Sequence, residues 1–113
     1  MQTWDLPAIE TPGGSLSPAV LLSEDDARAI LVGLEPGQEL GDHQVKEYTW
    51  LVVVDGSVRL RSGGDEIEAC VGTLAHFAPD ERHSVRTEEG AKILLVLAPW
   101  PGEGHYRGAV KVG

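Results

Sequence analysis

Cysteine is almost absent from this sequence, since Cys70 is the only one in 113 residues. A single thiol excludes an internal disulfide framework and any paired-cysteine zinc or redox motif. A chain without disulfides is typical of a reducing compartment, and we therefore expect a cytoplasmic location. Because Cys70 closes the run EIEAC, where a small apolar residue would fit inside a fold, we predict that its side chain is buried.

Positive charge is also scarce. Nine Lys and Arg residues stand against eighteen Asp and Glu residues, which gives a formal net charge of -9 and no basic cluster. An acidic surface repels phosphate backbones and anionic lipid, so we expect neither nucleic acid nor a membrane as partner. No apolar run approaches the ~20 residues that span a bilayer, and the start MQTWDLPAIE lacks the features of a secretion signal.

Helical patterns are rare, whereas turn-forming residues are frequent. The 14 glycines and 7 prolines recur at short intervals. Only SEDDARAILVG, residues 23–33, could form a helix, and we favour a turn over 23–27 that leads into a strand. Many short strands with frequent turns predict one all-β domain, a sandwich or barrel. The predicted strands are 19–22, 29–34, 49–54, 57–61, 65–71, 72–78, 83–86 and 91–98.

The segment from Gly37 to Gly56 carries a spaced motif. His43 follows Gly37 after five residues, and six residues separate Thr49 from Gly56. This spacing resembles the first motif of the cupin superfamily, G-x5-H-x-H-x(3,4)-E-x6-G. Val45 stands at the position of the second histidine of that motif, and Thr49 stands at the position of its glutamate.

The segment after Gly72 is similar to the second cupin motif, G-x5-P-x-G-x2-H-x3-N. His83 keeps the histidine position, while Ala78, Asp80 and Thr87 replace the proline, the second glycine and the asparagine. Both motifs occur in the expected order. The resemblance implies a cupin-type double-stranded β-helix, a jelly-roll barrel, with N-terminal strands in 1–28, a barrel core in 29–98 and a tail in 99–113.

The resemblance also implies a metal site, but this chain departs from the family ligand set. Only His43 and His83 remain of the four ligands, and valine cannot bind a metal. Glu47, in the turn between the two strands of the first motif, could replace the missing carboxylate. Two histidines and one carboxylate would suit Fe, Mn, Zn or Ni. His76 is a second candidate for the third ligand.

A pocket without metal is the other interpretation. An apolar wall with a few convergent polar groups is the usual form of a small-ligand site. Three functions therefore stay open: a small-molecule binder with an absent or reduced metal site, a metal-dependent enzyme of dioxygenase, isomerase or lyase type, and a non-catalytic dimeric scaffold. The predicted pocket residues are His43, Val45, Glu47, Thr49, Leu51, His76 and His83.

The resemblance further implies a homodimer, often with exchanged N-terminal strands. WDLPAI, residues 4–9, is the segment that we expect to cross to the partner. Trp100 stands between two prolines and is predicted to be an anchor at the subunit interface. His105, in the glycine-rich tail, is expected to face solvent or to contact the second subunit.

Overall fold

Eight β-strands account for most of the described chain. The computed structural model describes residues 1–12, 18–24 and 26–101, with only the backbone described for residues 42 and 43. Within these ranges the helical structure is a single 3-10 turn at Leu6–Ala8. The strands are β1 (Ala19–Ser23), β2 (Arg28–Leu34), β3 (Glu39–His43), β4 (Tyr48–Ser62), β5 (Asp65–Cys70), β6 (Leu74–Phe77), β7 (His83–Arg86) and β8 (Ala91–Ala98).

The strands form two antiparallel sheets that share β4. In the first sheet, the order is β1-β2-β8-β4-β6, and β4 contributes its first half. In the second sheet, the order is β3-β7-β4-β5, and β4 contributes its second half from Ser57 onwards. The strand changes sheet at Gly56, which has a φ of +73°. The all-β double-sheet barrel predicted from the sequence is confirmed.

The core lies between the two sheets. Side chains along β4 alternate, so that Leu51 and Val53 point inward and are buried while Trp50 and Val52 point outward. Residues paired across neighbouring strands face the same side of a sheet. The buried apolar cluster comprises Val32, Leu34, Leu51, Val53, Val58, Leu60, Ala69, Phe77, Val85 and Ile93.

The N-terminal segment lies against its own chain, on the outer face of the first sheet. The Lys92 ammonium donates hydrogen bonds to the carbonyl oxygens of Pro7 and Ile9. Thr11 occupies the space that a side chain at Gly33 would need. The segment predicted to cross to a partner, residues 4–9, therefore contacts β8 of its own chain in this structure. The described residues contain no helix with the length and apolarity that membrane crossing requires.

Two predictions about single residues were wrong. Cys70 is exposed, because Ala69 is the residue of β5 that pairs with Val58 inside the barrel and the next residue points outward. Trp100 is buried in its own chain rather than presented at the surface. Its backbone N–H donates to the Asp26 carbonyl oxygen, which folds this part of the chain back onto the turn between β1 and β2.

Candidate functional site at the barrel mouth

The inner face of the first sheet changes from apolar to polar at one end. Cross-strand register places inward side chains of β2, β8, β4 and β6 in rows. Two rows are wholly apolar and the third is mixed, so the inner face of the first sheet is polar only at this end. The rows are Val32–Ile93–Val53, then Ile30–Leu95–Leu51–Ala75, and then Arg28–Leu97–Thr49–Phe77.

The mixed row marks one end of the barrel. At this end β2 and β4 begin while β8 and β6 end in the first sheet. In the second sheet β7 begins and β3 ends, and Cα pairing sets His43 opposite His83. We call this end the barrel mouth and define it by Arg28, Glu47, Thr49, Phe77 and His83. The side chain of His43 lies outside the described residues.

Glu47 and Thr49 share the inward face at the start of β4. Glu47 precedes Thr49 by two positions, and the two side chains are 0% and 2% exposed. The side-chain alternation of β4 therefore extends back to Glu47, two positions before Thr49, which stands at the position of the family glutamate. The Thr49 hydroxyl makes no hydrogen bond to any described residue. A buried hydroxyl without a partner is unfavourable and is typical of a site that receives a ligand or water.

His83 is buried and held in one orientation. Its Nδ1 lies 3.0 Å from the carbonyl oxygen of Glu81. Because a carbonyl oxygen only accepts, Nδ1 is the donor of this hydrogen bond. Phe77 stacks on the imidazole with a centroid distance of 4.0 Å and an interplanar angle of 8°. The ring is thereby fixed by one hydrogen bond and one aromatic contact.

Glu81 anchors the turn that carries His83. Its carboxylate accepts hydrogen bonds from the Ser62 hydroxyl, at 2.6 Å, and from the Ala78 backbone N–H, at 2.9 Å. The bond from Ser62, and then that from Ala78, lower the pKa of Glu81 below its ordinary value of 4.5. The turn between β6 and β7 is thus tied to the end of β4 by a charged group.

We expect Glu81→Gln to destabilise the protein at pH 7 and to have little effect in acid. A carboxyl group with a lowered pKa in the folded state stabilises that state above pH 4.5, and this contribution is lost as the pH falls through the lowered value. The loss at pH 7 should be about 1 kcal/mol, less than the roughly 1.5–3 kcal/mol of a buried charged hydrogen bond, because the group is partly exposed. Urea unfolding of both proteins at pH 7, 5 and 3 would measure this difference, and a constant difference would contradict it.

Asp80 ties the loop between β3 and β4 to the same turn. Its φ is +66°, in the left-handed region that favours glycine, which is the residue of the family motif at this position. Its N–H donates to the Val45 carbonyl oxygen at 2.7 Å, and its carboxylate pairs with Lys46 at 2.8 Å. Val45 itself is half-buried at the rim. These contacts fix the loop that ends at Glu47.

His76 lies on the opposite side of the sheet from the barrel mouth. It pairs with Trp50, whose side chain points outward, whereas its neighbour Phe77 pairs with the inward Thr49. Its ring is exposed and lies 5.0 Å from Trp50 and 5.7 Å from Tyr48, centroid to centroid. The structure therefore does not bring His76 together with the other predicted pocket residues.

The predicted pocket residues thus fall into separate groups. Glu47, Thr49 and His83 meet at the barrel mouth, and Val45 lies at its rim. Leu51 is fully buried one row deeper, inside the apolar core. Arg28 and Phe77, which share the row of Thr49, were not predicted as pocket residues from the sequence. Their position could have been found by extending the alternating pattern of β2 by one residue and by pairing β6 with β4.

Within the described residues, no group of three His, Cys, Asp or Glu side chains is placed to hold a metal ion. Glu47 and His83 are the described donors at the barrel mouth. Three protein ligands are usual for a catalytic metal. A complete set would therefore need a donor beyond the side chains described.

Two of the surface grooves among the described residues differ in polarity. One of about 150 Å³ runs between the edges of β5 and β6 and is lined mainly by apolar groups of Leu60, Ile67, Ala75 and Phe77. It reaches the barrel mouth at Phe77. The other, of about 390 Å³, lies on the outer face of the second sheet. There Arg59 and Arg86 already pair with glutamates, so the second groove is a solvated charge network.

Solved structures share this architecture. The protein TT1209 from Thermus thermophilus has a TM-score of 0.75 and 26% identity, over 88% of this chain and 98% of that one. An RmlC-like cupin from Desulfovibrio desulfuricans has a TM-score of 0.75 and 21% identity, over 88% and 97%. An RmlC-like cupin with a double-stranded β-helix fold from Methanocaldococcus jannaschii has a TM-score of 0.69 and 15% identity, over 74% and 80%.

The two-sheet barrel and both spaced motifs define a small protein of the cupin superfamily. Residues 33–97 match the family described as the AraC-like ligand binding domain, and the chain belongs to that family. The match includes Glu47, Thr49, Phe77 and His83 but not Arg28. No curated protein matches the sequence.

Proposed function

We propose that this protein binds a small organic molecule at the barrel mouth, with an absent or reduced metal site. The observation that carries the proposal is the buried Thr49 hydroxyl, which has no hydrogen-bond partner among the described residues. Glu47 and His83 add two buried polar groups beside apolar Leu97 and Phe77. A few polar groups in apolar surroundings are what a small-molecule site requires. The ligand-binding family to which the chain belongs supports the same function.

The apolar groove indicates the size of the molecule. Its volume is about 150 Å³, and it meets the barrel mouth at Phe77. An apolar cavity of about 150 Å³ holds a benzene-sized molecule. We therefore expect ligands with a small apolar body and one or two polar groups.

Thr49→Val tests the proposal through stability and binding together. Valine has nearly the shape of threonine but no hydroxyl, so the substitution removes the unpartnered buried group. We expect the free energy of unfolding to rise by about 1 kcal/mol. This is the low end of the usual cost of a buried polar group without a hydrogen-bond partner. We also expect the ligand-induced rise in melting temperature, measured with a panel of small organic molecules, to fall for Thr49→Val.

Thr87→Val is the matched control. Thr87 is equally buried, but its hydroxyl donates to the Ser57 carbonyl oxygen and accepts from the Gly90 N–H, both at 2.9 Å. The same substitution there should destabilise the protein by about 1–3 kcal/mol, because it leaves two buried groups unpartnered. The proposal fails if Thr49→Val destabilises as Thr87→Val does, or if no molecule of the panel stabilises the native chain.

A metal-dependent enzyme is the second candidate. It is favoured by the inward, buried position of Glu47, which supplies a carboxylate where the family glutamate is missing. Glu47 and His83, with His43 as the third ligand, would form a set of two histidines and one carboxylate. Such a metal would act as a Lewis acid for the small molecule bound at the mouth.

Metal content separates the two candidates. The enzyme hypothesis predicts about one Fe, Mn, Zn or Ni ion per chain in protein purified without added metal. His83→Ala and Glu47→Gln should lose the ion, whereas His76→Ala, on the outer face, should keep it. If the native protein is folded but contains no metal, the enzyme hypothesis is contradicted. Ligand binding without a metal is then the remaining candidate.

A homodimer and a cytoplasmic location stay predictions. The outer face of the first sheet carries exposed Tyr48 and Leu74 beside the half-buried Trp50. A second copy that covered these side chains would remove apolar surface from water. This surface also supports the scaffold hypothesis, in which the function depends on the dimer.

A further inference from the structure

Arg28 is the polar residue at the barrel mouth that neither cupin motif contains. It occupies the first position of β2, and the inward side chains that follow it along this strand are Ile30, Val32 and Leu34. Through Leu97, the register places Arg28 in the row of Thr49. Arg28 is thus a cation at the polar end of a strand whose other inward side chains are apolar.

The guanidinium of Arg28 is held in place without an anionic partner among the described residues. Its carbon atom lies 4.7 Å from the centroid of the buried Trp100 ring. Its Nε is buried and makes no hydrogen bond to any described residue. By contrast, Arg59, Arg61 and Arg86 each pair with a glutamate. In a protein with a net charge of -9, a partly buried arginine that pairs with no described acid requires an explanation.

We infer that Arg28 binds the carboxylate of a small monocarboxylic acid, with the Thr49 hydroxyl as the second contact. This inference rests on the proposed function and names the chemical class of its ligand. Arg28 and Thr49 stand on strands two places apart, so about 10 Å separates their backbones. An arginine side chain is long enough to cover much of that distance, so one carboxylate group would bridge the rest.

The chemistry of the two groups suits one carboxylate. A guanidinium donates in a planar fork that matches two carboxylate oxygens, and the Trp100 face holds the fork in position. The Thr49 hydroxyl can donate to an oxygen or accept from a neighbouring group of the ligand. Arg28 is the one permanent cation among the five residues that define the barrel mouth, so it can neutralise one carboxylate of the ligand but not two. The acid should therefore carry one carboxylate and a small apolar body.

Matched pairs of an acid and its neutral amide test this inference on the full chain. We would titrate acetate and acetamide, butyrate and butyramide, and benzoate and benzamide, and follow backbone and arginine Nε–H signals by ¹H–¹⁵N NMR. We expect at least one acid to bind about 10-fold more tightly than its amide, with the Arg28 Nε–H signal shifted. Arg28→Gln should remove that preference, so that the acid binds no more tightly than its amide.

Two further variants separate binding from structural effects. Arg86→Gln, on the outer face of the second sheet, removes one positive charge away from the mouth and should keep the preference. Arg28→Lys keeps a cation near Trp100 but lacks the planar fork of the guanidinium. This variant should therefore keep only part of the preference for the acid over its amide. Equal binding of acid and amide, or a preference that survives Arg28→Gln, would overturn the inference while the proposed function stands. If no acid shifts any signal at the mouth, the inference also fails, and the Thr49→Val experiment decides the proposed function separately.

Discussion

Gly56→Ala should reduce the free energy of unfolding by about 3 kcal/mol or more, one of the largest losses expected from a single methyl group in this chain. Gly56 has a φ of +73°, which costs a residue with a Cβ atom about 1–2 kcal/mol. A Cβ atom there would also lie 2.2 Å from the Gly90 carbonyl oxygen and 3.0 Å from the Ala91 Cα. Both atoms belong to the backbone, so they cannot rotate away, and β4 or the start of β8 must move.

Gly63→Ala is the matched control for Gly56→Ala. Gly63 has a similar φ of +61°, but no atom lies within 4 Å of the position its Cβ would take. Gly63→Ala should therefore lower the free energy of unfolding only by the cost of the positive φ, about 1 kcal/mol. Urea unfolding of the three proteins gives the comparison directly. Equal losses for the two variants would show that the contact with Gly90 does not constrain the point where β4 changes sheet.

The barrel could be predicted from the sequence because its strands are short, alternating and separated by strong turn residues. Each predicted strand from 19–22 to 91–98 overlaps an observed strand. Two of them, 49–54 and 57–61, belong to the single long β4, because the backbone continues through Gly56. The strand β3 was not predicted from its own residues, since Glu39–His43 has no β-branched residue and is mostly polar. Only the cupin motif indicated it.

The mouth could be predicted only in part, because strand register is a property of the folded sheets. Glu47 was found by testing which carboxylate could replace the one missing from the motif. Arg28 was missed because the strand was predicted to begin at Ala29, one residue too late to include the inward arginine. His76 was placed in the pocket because the sequence alone does not show whether His76 or Phe77 faces inward. The pairing of Phe77 with Thr49 decides this.

Cys70, at the end of β5, is a second residue whose orientation depends on strand register and could not be predicted from the sequence. In EIEAC both Ala69 and Cys70 are small, and either could be the inward residue. Pairing with β4 sets Ala69 beside Val58 and turns the thiol to solvent. A shift of register by one residue would exchange the two faces of the strand. The sequence therefore predicts which segments are strands better than it predicts the contents of the mouth.

Leu51→Ala should lower the free energy of unfolding by about 2–5 kcal/mol, a large share of the roughly 5–15 kcal/mol of a typical domain. Leu51 is 0% exposed in the middle of the inward row of β4, and its cross-strand partners are Leu95 and Ala75. The surrounding strands are hydrogen-bonded on both sides and cannot close around the missing atoms, so a cavity remains. Urea unfolding and the melting temperature would both report the loss.

Leu74→Ala makes the same chemical change on the outer face, where Leu74 is 61% exposed. It should change stability by no more than about 0.5 kcal/mol. The cavity in Leu51→Ala would lie directly below Thr49, so this variant should also weaken ligand binding at the mouth. If Leu51→Ala lost less than about 1 kcal/mol, Leu51 would not be a packed core residue. It would instead line an open pocket, as the sequence analysis first predicted, and the floor of the ligand site would lie one row deeper than the structure indicates.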